Sequence, residues 1–133
     1  MQSVVFDAVA ILAWFKREPG YQFVRALVQE VARGGVRGAV CAINLGEVYC
    51  IVSRERRQAV ADELLRELLH LPWHIIPASD DLVWAAARLK AQYPISYADA
   101  FALACAQAHQ ADLITADPEL TNADHGVTVR WET

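Results

Sequence analysis

A chain of 133 residues, 55% hydrophobic and 21% charged, has the make-up of a single globular domain spanning 1–133, with no repeat, linker or low-complexity tract. Its net charge of −4 argues against a nucleic-acid binder that relies on overall positive charge, leaving such a role to local basic clusters only. Three cysteines without a CxxC, four histidines without an HExxH, and the lack of any apolar run near membrane-spanning length argue against a disulfide frame, a zinc site and a membrane protein, so the expectation is a soluble cytoplasmic chain with reduced core thiols.

Ser3-Val4-Val5-Phe6 is an apolar run of strand formers ending at Asp7, and reads as a buried strand. Ala8 to Lys16 predicts a helix stopped by Pro19-Gly20, and Asp7 as its N-cap is the simplest reading. Tyr21 to Arg33 predicts a second helix with Phe23, Leu27, Val28 and Val31 on its apolar face, closed by Gly34-Gly35. Arg37 to Ala42 predicts the second strand, and a helix follows through Asn44 to Val52. Asn44-x-x-Glu47 has capping-box spacing, which offers Glu47 a structural role. Gly46 weakens that helix start and points either to close packing or to the close approach of a ligand.

Arg54-Glu55-Arg56-Arg57 is a basic cluster at a helix junction, and Gln58 to His70 predicts the next helix, ended by Pro72. Trp73 to Ile76 predicts a third strand. Ser79 then caps a helix reaching about Tyr93, with Asp80 and Asp81 suited to its dipole. Ile95 to Ala111 (ISYADAFALACAQAHQA) places alanine at every second position from Ala98 to Ala108, but its length and alanine content favour helix over strand. Ser96 is the expected N-cap. Asp99 is then the one acid in the first turn of a helix apolar nearly all round, so its carboxylate faces a costly burial unless capping or a cation compensates it. Asp112 to Thr115 predicts a fourth strand, Asp117-Pro118 a cap and first position of a short helical turn, and Val127 to Trp131 a last strand. Strands alternating with helical crossovers predict an α/β three-layer sandwich around a parallel sheet.

Four acids stand out in this frame. Asp7 and Asp117 follow strands, and Glu47 and Asp99 lie in first turns of helices, so all four can reach the carboxyl edge of the sheet, where α/β folds place their sites. Each could be a cap, but caps need not be carboxylates, and this chain uses serine elsewhere. Clustered carboxylates stay ionised together only around a cation, and an all-oxygen set selects Mg²⁺ or Mn²⁺. The chemistry that such a site supports best is phosphodiester hydrolysis.

Asp7 after its apolar strand, AINLGEV around Glu47, ISYADAFALA around Asp99 and LITADPEL around Asp117 resemble, in this order and over essentially the whole chain, the PIN-domain ribonucleases, and more narrowly the VapC-type toxins of bacterial toxin–antitoxin pairs. The resemblance implies a five-stranded parallel sheet of order 3-2-1-4-5. It implies Asp7, Glu47, Asp99 and Asp117 as metal-binding acids, with Thr115 as an accessory residue of the TxD motif. It also implies endonucleolytic cleavage of RNA, a homodimer and a cognate VapB-like antitoxin. One position departs from the family pattern: Ala8 stands where a small hydroxyl residue is common, which removes a helper of the site but no ligand. Lys16, Arg17, Arg54, Arg56 and Arg57 are the candidate RNA-backbone contacts, and Trp14, Phe15 and Trp84 the candidate partner contacts. The competing reading is a PIN-like module that binds nucleic acid or a partner without cutting. Other α/β sites do not fit: Val9 occupies the second place of the Asp-x-Asp of a dehalogenase-like phosphatase, and there is no GxGxxG, P-loop or GxSxG.

Overall fold

The computed structural model describes all 133 residues. Its strands are β1 (Ser3–Phe6), β2 (Arg37–Cys41), β3 (His74–Ile76), β4 (Asp112–Ile114) and β5 (Val129–Arg130). Its helices are α1 (Ala8–Lys16), α2 (Tyr21–Arg33), α3 (Ala42–Glu55), α4 (Gln58–His70), α5 (Asp80–Gln92), α6 (Tyr97–Ala108) and α7 (Pro118–Asn122). The sheet runs β3-β2-β1-β4-β5, with every neighbouring pair parallel. The expected α/β sandwich and strand order are both present.

Alternation along β1 decides how the two faces are covered. Val4 and Phe6 point into one core, with Val40 and Ile114 from the neighbouring strands, and pack against α1, α2, α3 and α4. Val5 points into the other, with Ala39 and Leu113, against α5 and α6. Val4, Val5 and Phe6 are at most 1% exposed, as a central strand buried on both faces requires. In register, Phe6 lies between Val40 and Ile114, so the residues that follow, Asp7 and Thr115, emerge side by side at the carboxyl edge.

Several boundaries differ from the sequence expectation. Ala42 is not the end of β2 but the first residue of α3. Trp73 does not join β3. Its indole Nε1 donates to the Leu68 carbonyl at 2.9 Å, and its ring packs 5.4 Å from Phe6, so its packing outweighs its strand propensity. The last strand is reduced to Val129–Arg130. Cys41 and Cys105 are buried free thiols as expected, but Cys50 is exposed on the outer side of α3. No helix is long and apolar enough to cross a membrane.

Gly20 precedes α2 with φ +96°, and a Cβ there would stand 2.4 Å from Cζ2 of Trp131. Both the backbone and the space exclude a side chain. Gly20→Ala is expected to destabilise the protein by about 1–3 kcal/mol, read as a lower urea midpoint with an unchanged slope. An unchanged midpoint would show that Trp131 moves aside freely.

Candidate metal centre

The site is built where β1 and β4 end and where α3 and α6 begin. Asp7 terminates β1, caps α1, and accepts a hydrogen bond at Oδ1 from the Ala10 N–H at 2.9 Å. Its other oxygen, Oδ2, is buried and has no partner. The cap reading and the site reading of Asp7 are therefore compatible, because one carboxylate has two oxygens and capping uses one. Asp117 repeats the arrangement after β4. Its Oδ1 accepts from the Glu119 N–H at 3.0 Å, with Pro118 in the first turn of α7. Thr115, fully buried between them, accepts from the Asp117 N–H at 3.0 Å.

Asp99 lies in the first turn of α6. The Ser96 hydroxyl caps that helix by accepting from the Asp99 N–H at 3.1 Å, which leaves the Asp99 carboxyl free to face the site, only 8% exposed. For Glu47 the structure removes the capping alternative. Asn44 is the third residue of α3, not its N-cap, which is Cys41. Gly46 meets nothing within 4 Å of a built Cβ, so close packing does not explain it.

Electrostatics shows that these acids share one space. Asp7 has its pKa raised to about 7, first by burial and then by the charges of Asp117 and Glu47, against the pull of the Thr115 hydroxyl and the Ala10 N–H. Asp99 is raised to about 8, again by burial first, then by a hydrogen bond with Asp117 and the charges of Asp117 and Asp7, against the pull of Ser96. Glu47 is raised by burial and by Asp117. Oxygen atoms of Asp99, Asp117 and Glu119 all lie within 4.8 Å of one another. Glu119, in the first turn of α7, is thus a fifth acid that the sequence reading passed over. Pro118 at the first helical position fixes Glu119 in the first turn of α7, but nothing in the local sequence brings it to Asp99.

No cationic side chain compensates this cluster. The ion pairs of the molecule join Lys16 to Glu18 and Glu55, Arg33 to Glu30, and Arg130 to Asp112, and none includes Asp7, Glu47, Asp99, Asp117 or Glu119. Carboxylates gathered without a counter-charge, with a buried orphan oxygen on Asp7, form an all-oxygen donor set that fits a hard divalent cation.

The remaining candidates are dispersed. Arg54, Arg56 and Arg57 are exposed at the junction of α3 and α4, and Arg56 lies over the Phe15 ring at 5.5 Å. Arg17 is exposed beside Tyr21. Lys16 is held by Glu55 at 3.2 Å and by Glu18 at 3.8 Å, so its charge is already answered. Trp14 and Phe15 line a groove of about 420 Å³ between α1, α2 and α4, whereas Trp84 stands 57% exposed on α5.

A family model described as PIN domain matches residues 4–126. No curated protein matches the sequence. Among solved structures, one of DNA-bound VapBC from Salmonella typhimurium contains a chain with TM-score 0.76 at 12% identity, covering 98% of each chain. The structure of VapBC2 from Rickettsia felis, bound to a DNA fragment from their promoter, gives 0.74 at 17%, covering 97% of this chain and 98% of that one. The VapC20 toxin of Mycobacterium tuberculosis, described as Sarcin-Ricin loop cleaving, gives 0.74 at 14%, covering 91% and 95%. At these identities the likeness is one of fold.

Proposed function

Because this chain belongs to the PIN-domain family, we propose that it is a metal-dependent endoribonuclease of the VapC toxin type, hydrolysing RNA phosphodiester bonds. The observation that carries this reading is the cluster of buried and half-buried acids without any cationic partner at the carboxyl edge of the sheet. Asp7, Glu47, Asp99 and Asp117 would hold Mg²⁺ or Mn²⁺, with Glu119 at the same rim. When bound, such an ion supplies positive charge for the phosphate and lowers the pKa of water.

The chain's own residues do the rest. Thr115 fixes Asp117 through its backbone N–H. Ser96 fixes the first turn that carries Asp99. The buried walls formed by Phe6, Ile114 and α6 keep the acids in a medium where their charges act strongly. Glu47 and Glu119 lie nearer to solvent, where an incoming phosphodiester would meet the site first.

The exposed cluster Arg54, Arg56 and Arg57, with Arg17, is the proposed contact to the RNA backbone. Lys16 contributes less because Glu18 and Glu55 hold it. Changing Arg54, Arg56 and Arg57 together to Ala is expected to weaken RNA binding and to lower the salt slope by about 0.7 per lost contact, measured by filter binding across a salt series. Unchanged affinity and slope would remove this cluster from the interface.

Structural neighbours from VapBC assemblies support a VapB-like partner for this chain. The apolar groove with Trp14, Phe15, Leu64 and Leu68, rimmed by Arg17 and Arg25, is its proposed seat. Homodimerisation and a cytoplasmic location complete the reading. Trp84, 57% exposed, and Leu69, 50% exposed, are apolar side chains that a second copy or a partner would cover.

The deciding experiment is cleavage of a mixed pool of structured RNA by the purified protein in Mg²⁺ and in Mn²⁺, with EDTA as control. Metal-dependent cleavage is expected. Absence of cleavage in either metal, together with no calorimetric metal binding, would return the acids to their capping roles and leave a binding-only module.

A further inference from the structure

Asn44 is a polar side chain in a place that favours an apolar one. It is 1% exposed, in the first turn of α3, between that helix and α6. Its Nδ2 donates to the Ala98 carbonyl at 3.1 Å, while its Oδ1 is buried without a partner. A buried amide satisfied on only one side is costly, and a leucine of similar volume would avoid that cost. The sequence reading offered Asn44 as a helix cap, and the structure shows that it caps nothing. Its retention calls for another account.

The location of its one hydrogen bond supplies it. Ala98 immediately precedes Asp99 in the first turn of α6. Glu47 lies three residues after Asn44, on the same side of α3. These two helices pack on opposite faces of the sheet: α3 contributes Leu45, Val48 and Val52 to one core, and α6 contributes Ala100 to Ala106 to the other. Beyond the edge of the sheet, where the acids stand, the two helices meet directly, with Ile43 of α3 packed against the core of α6. The Asn44 bond is the side-chain hydrogen bond of this junction, and it stands directly beside both acids.

We propose that Asn44 is a positioning residue: its amide bond to the Ala98 carbonyl sets the separation of Glu47 from Asp99, and through it the affinity of the site for a divalent ion. This rests on the metal-nuclease reading above. The residue touches neither substrate nor ion; it acts through the two helices that carry ligands.

The test uses the full chain, with Mn²⁺ and Mg²⁺ titrated by calorimetry in the absence of RNA, beside cleavage kinetics and thermal melts in EDTA. Asn44→Leu keeps the volume and removes the donor, and Asn44→Ala removes the donor without any risk of crowding. For both, the metal Kd is expected to rise about 10–100-fold, with kcat lowered and the KM for RNA unchanged. The melting midpoint in EDTA is expected to hold or rise for Asn44→Leu, because a half-satisfied buried amide has gone. Parent-like metal affinity in both variants overturns the inference. So does a loss of affinity that merely tracks a fall in melting midpoint, or failure of both variants to fold, since Asn44 would then serve the fold alone. If the parent protein itself binds no divalent ion, the nuclease reading fails first and takes this inference with it. If the parent binds and the variants bind equally, only the positioning role fails.

Discussion

Asp99→Asn is expected to change activity and stability in opposite directions. RNA cleavage in Mg²⁺ or Mn²⁺ should fall by more than about 100-fold, since loss of a ligand exceeds the usual cost of disturbing a ligand's support. The metal-free protein should at the same time melt about 5 °C higher. The amide matches the carboxyl in shape and leaves the Ser96 cap intact, because that bond runs to the backbone N–H. What it removes is an acid whose pKa is pushed to about 8, chiefly by burial and then by Asp117 and Asp7. An acid kept for the fold would lose stability on this change; one kept for an ion releases repulsion when the ion is away. Thermal melts in EDTA beside single-turnover cleavage decide the matter. Parent-like cleavage, or a lower midpoint in EDTA, would sink the assignment of Asp99.

The second large effect concerns pH. Asp7 and Asp99 are raised from an ordinary 3.8 to about 7 and about 8. In the metal-free protein the folded state therefore holds protons that the unfolded state has already released between about pH 4 and pH 8. Stability must then fall as the pH rises through this window, by up to about 1.4 kcal/mol per pH unit for each group. Their contribution is fully present below pH 4 and gone above the raised values. Urea midpoints taken in EDTA from pH 5 to pH 9 should decline, and saturating Mn²⁺ should flatten or reverse the decline, because the ion takes the place of the protons. A level metal-free profile would mean that the two carboxyls are more solvated than their burial implies.

Much of the fold was legible in the sequence because its signals are strong and local. The period of α2, the serine caps at Ser79 and Ser96, and the Asp117-Pro118 start of α7 each fix an element within a residue or two. The boundaries that slipped are those where tertiary packing decides: Trp73 leaves its strand to fill space against Phe6, and Ala42 turns into α3 because Cys41 ends the ladder. In the site, the acids following strands could be found from position alone. Asn44 and Glu119 could not be read correctly, for different physical reasons. The spacing of Asn44 from Glu47 imitates a capping box, and only the true start of α3, two residues earlier than Asn44, exposes the imitation. Glu119 sits in a short turn whose direction depends on how α7 folds back towards α6, which no local pattern encodes.

The two cores lie on opposite faces of the sheet and meet beyond its edge, where Ile43 and Asn44 of α3 reach the layer of α6. Glu47 belongs to the layer on one side, Asp99 to the layer on the other, and Asp7 and Asp117 to the strand ends between them. Neither layer alone holds a complete set of acids. A chain cut or half unfolded would therefore lack part of the proposed ligand set. On the proposed reading, ion capture would report on the whole domain, and hydrolysis would wait until both layers have docked.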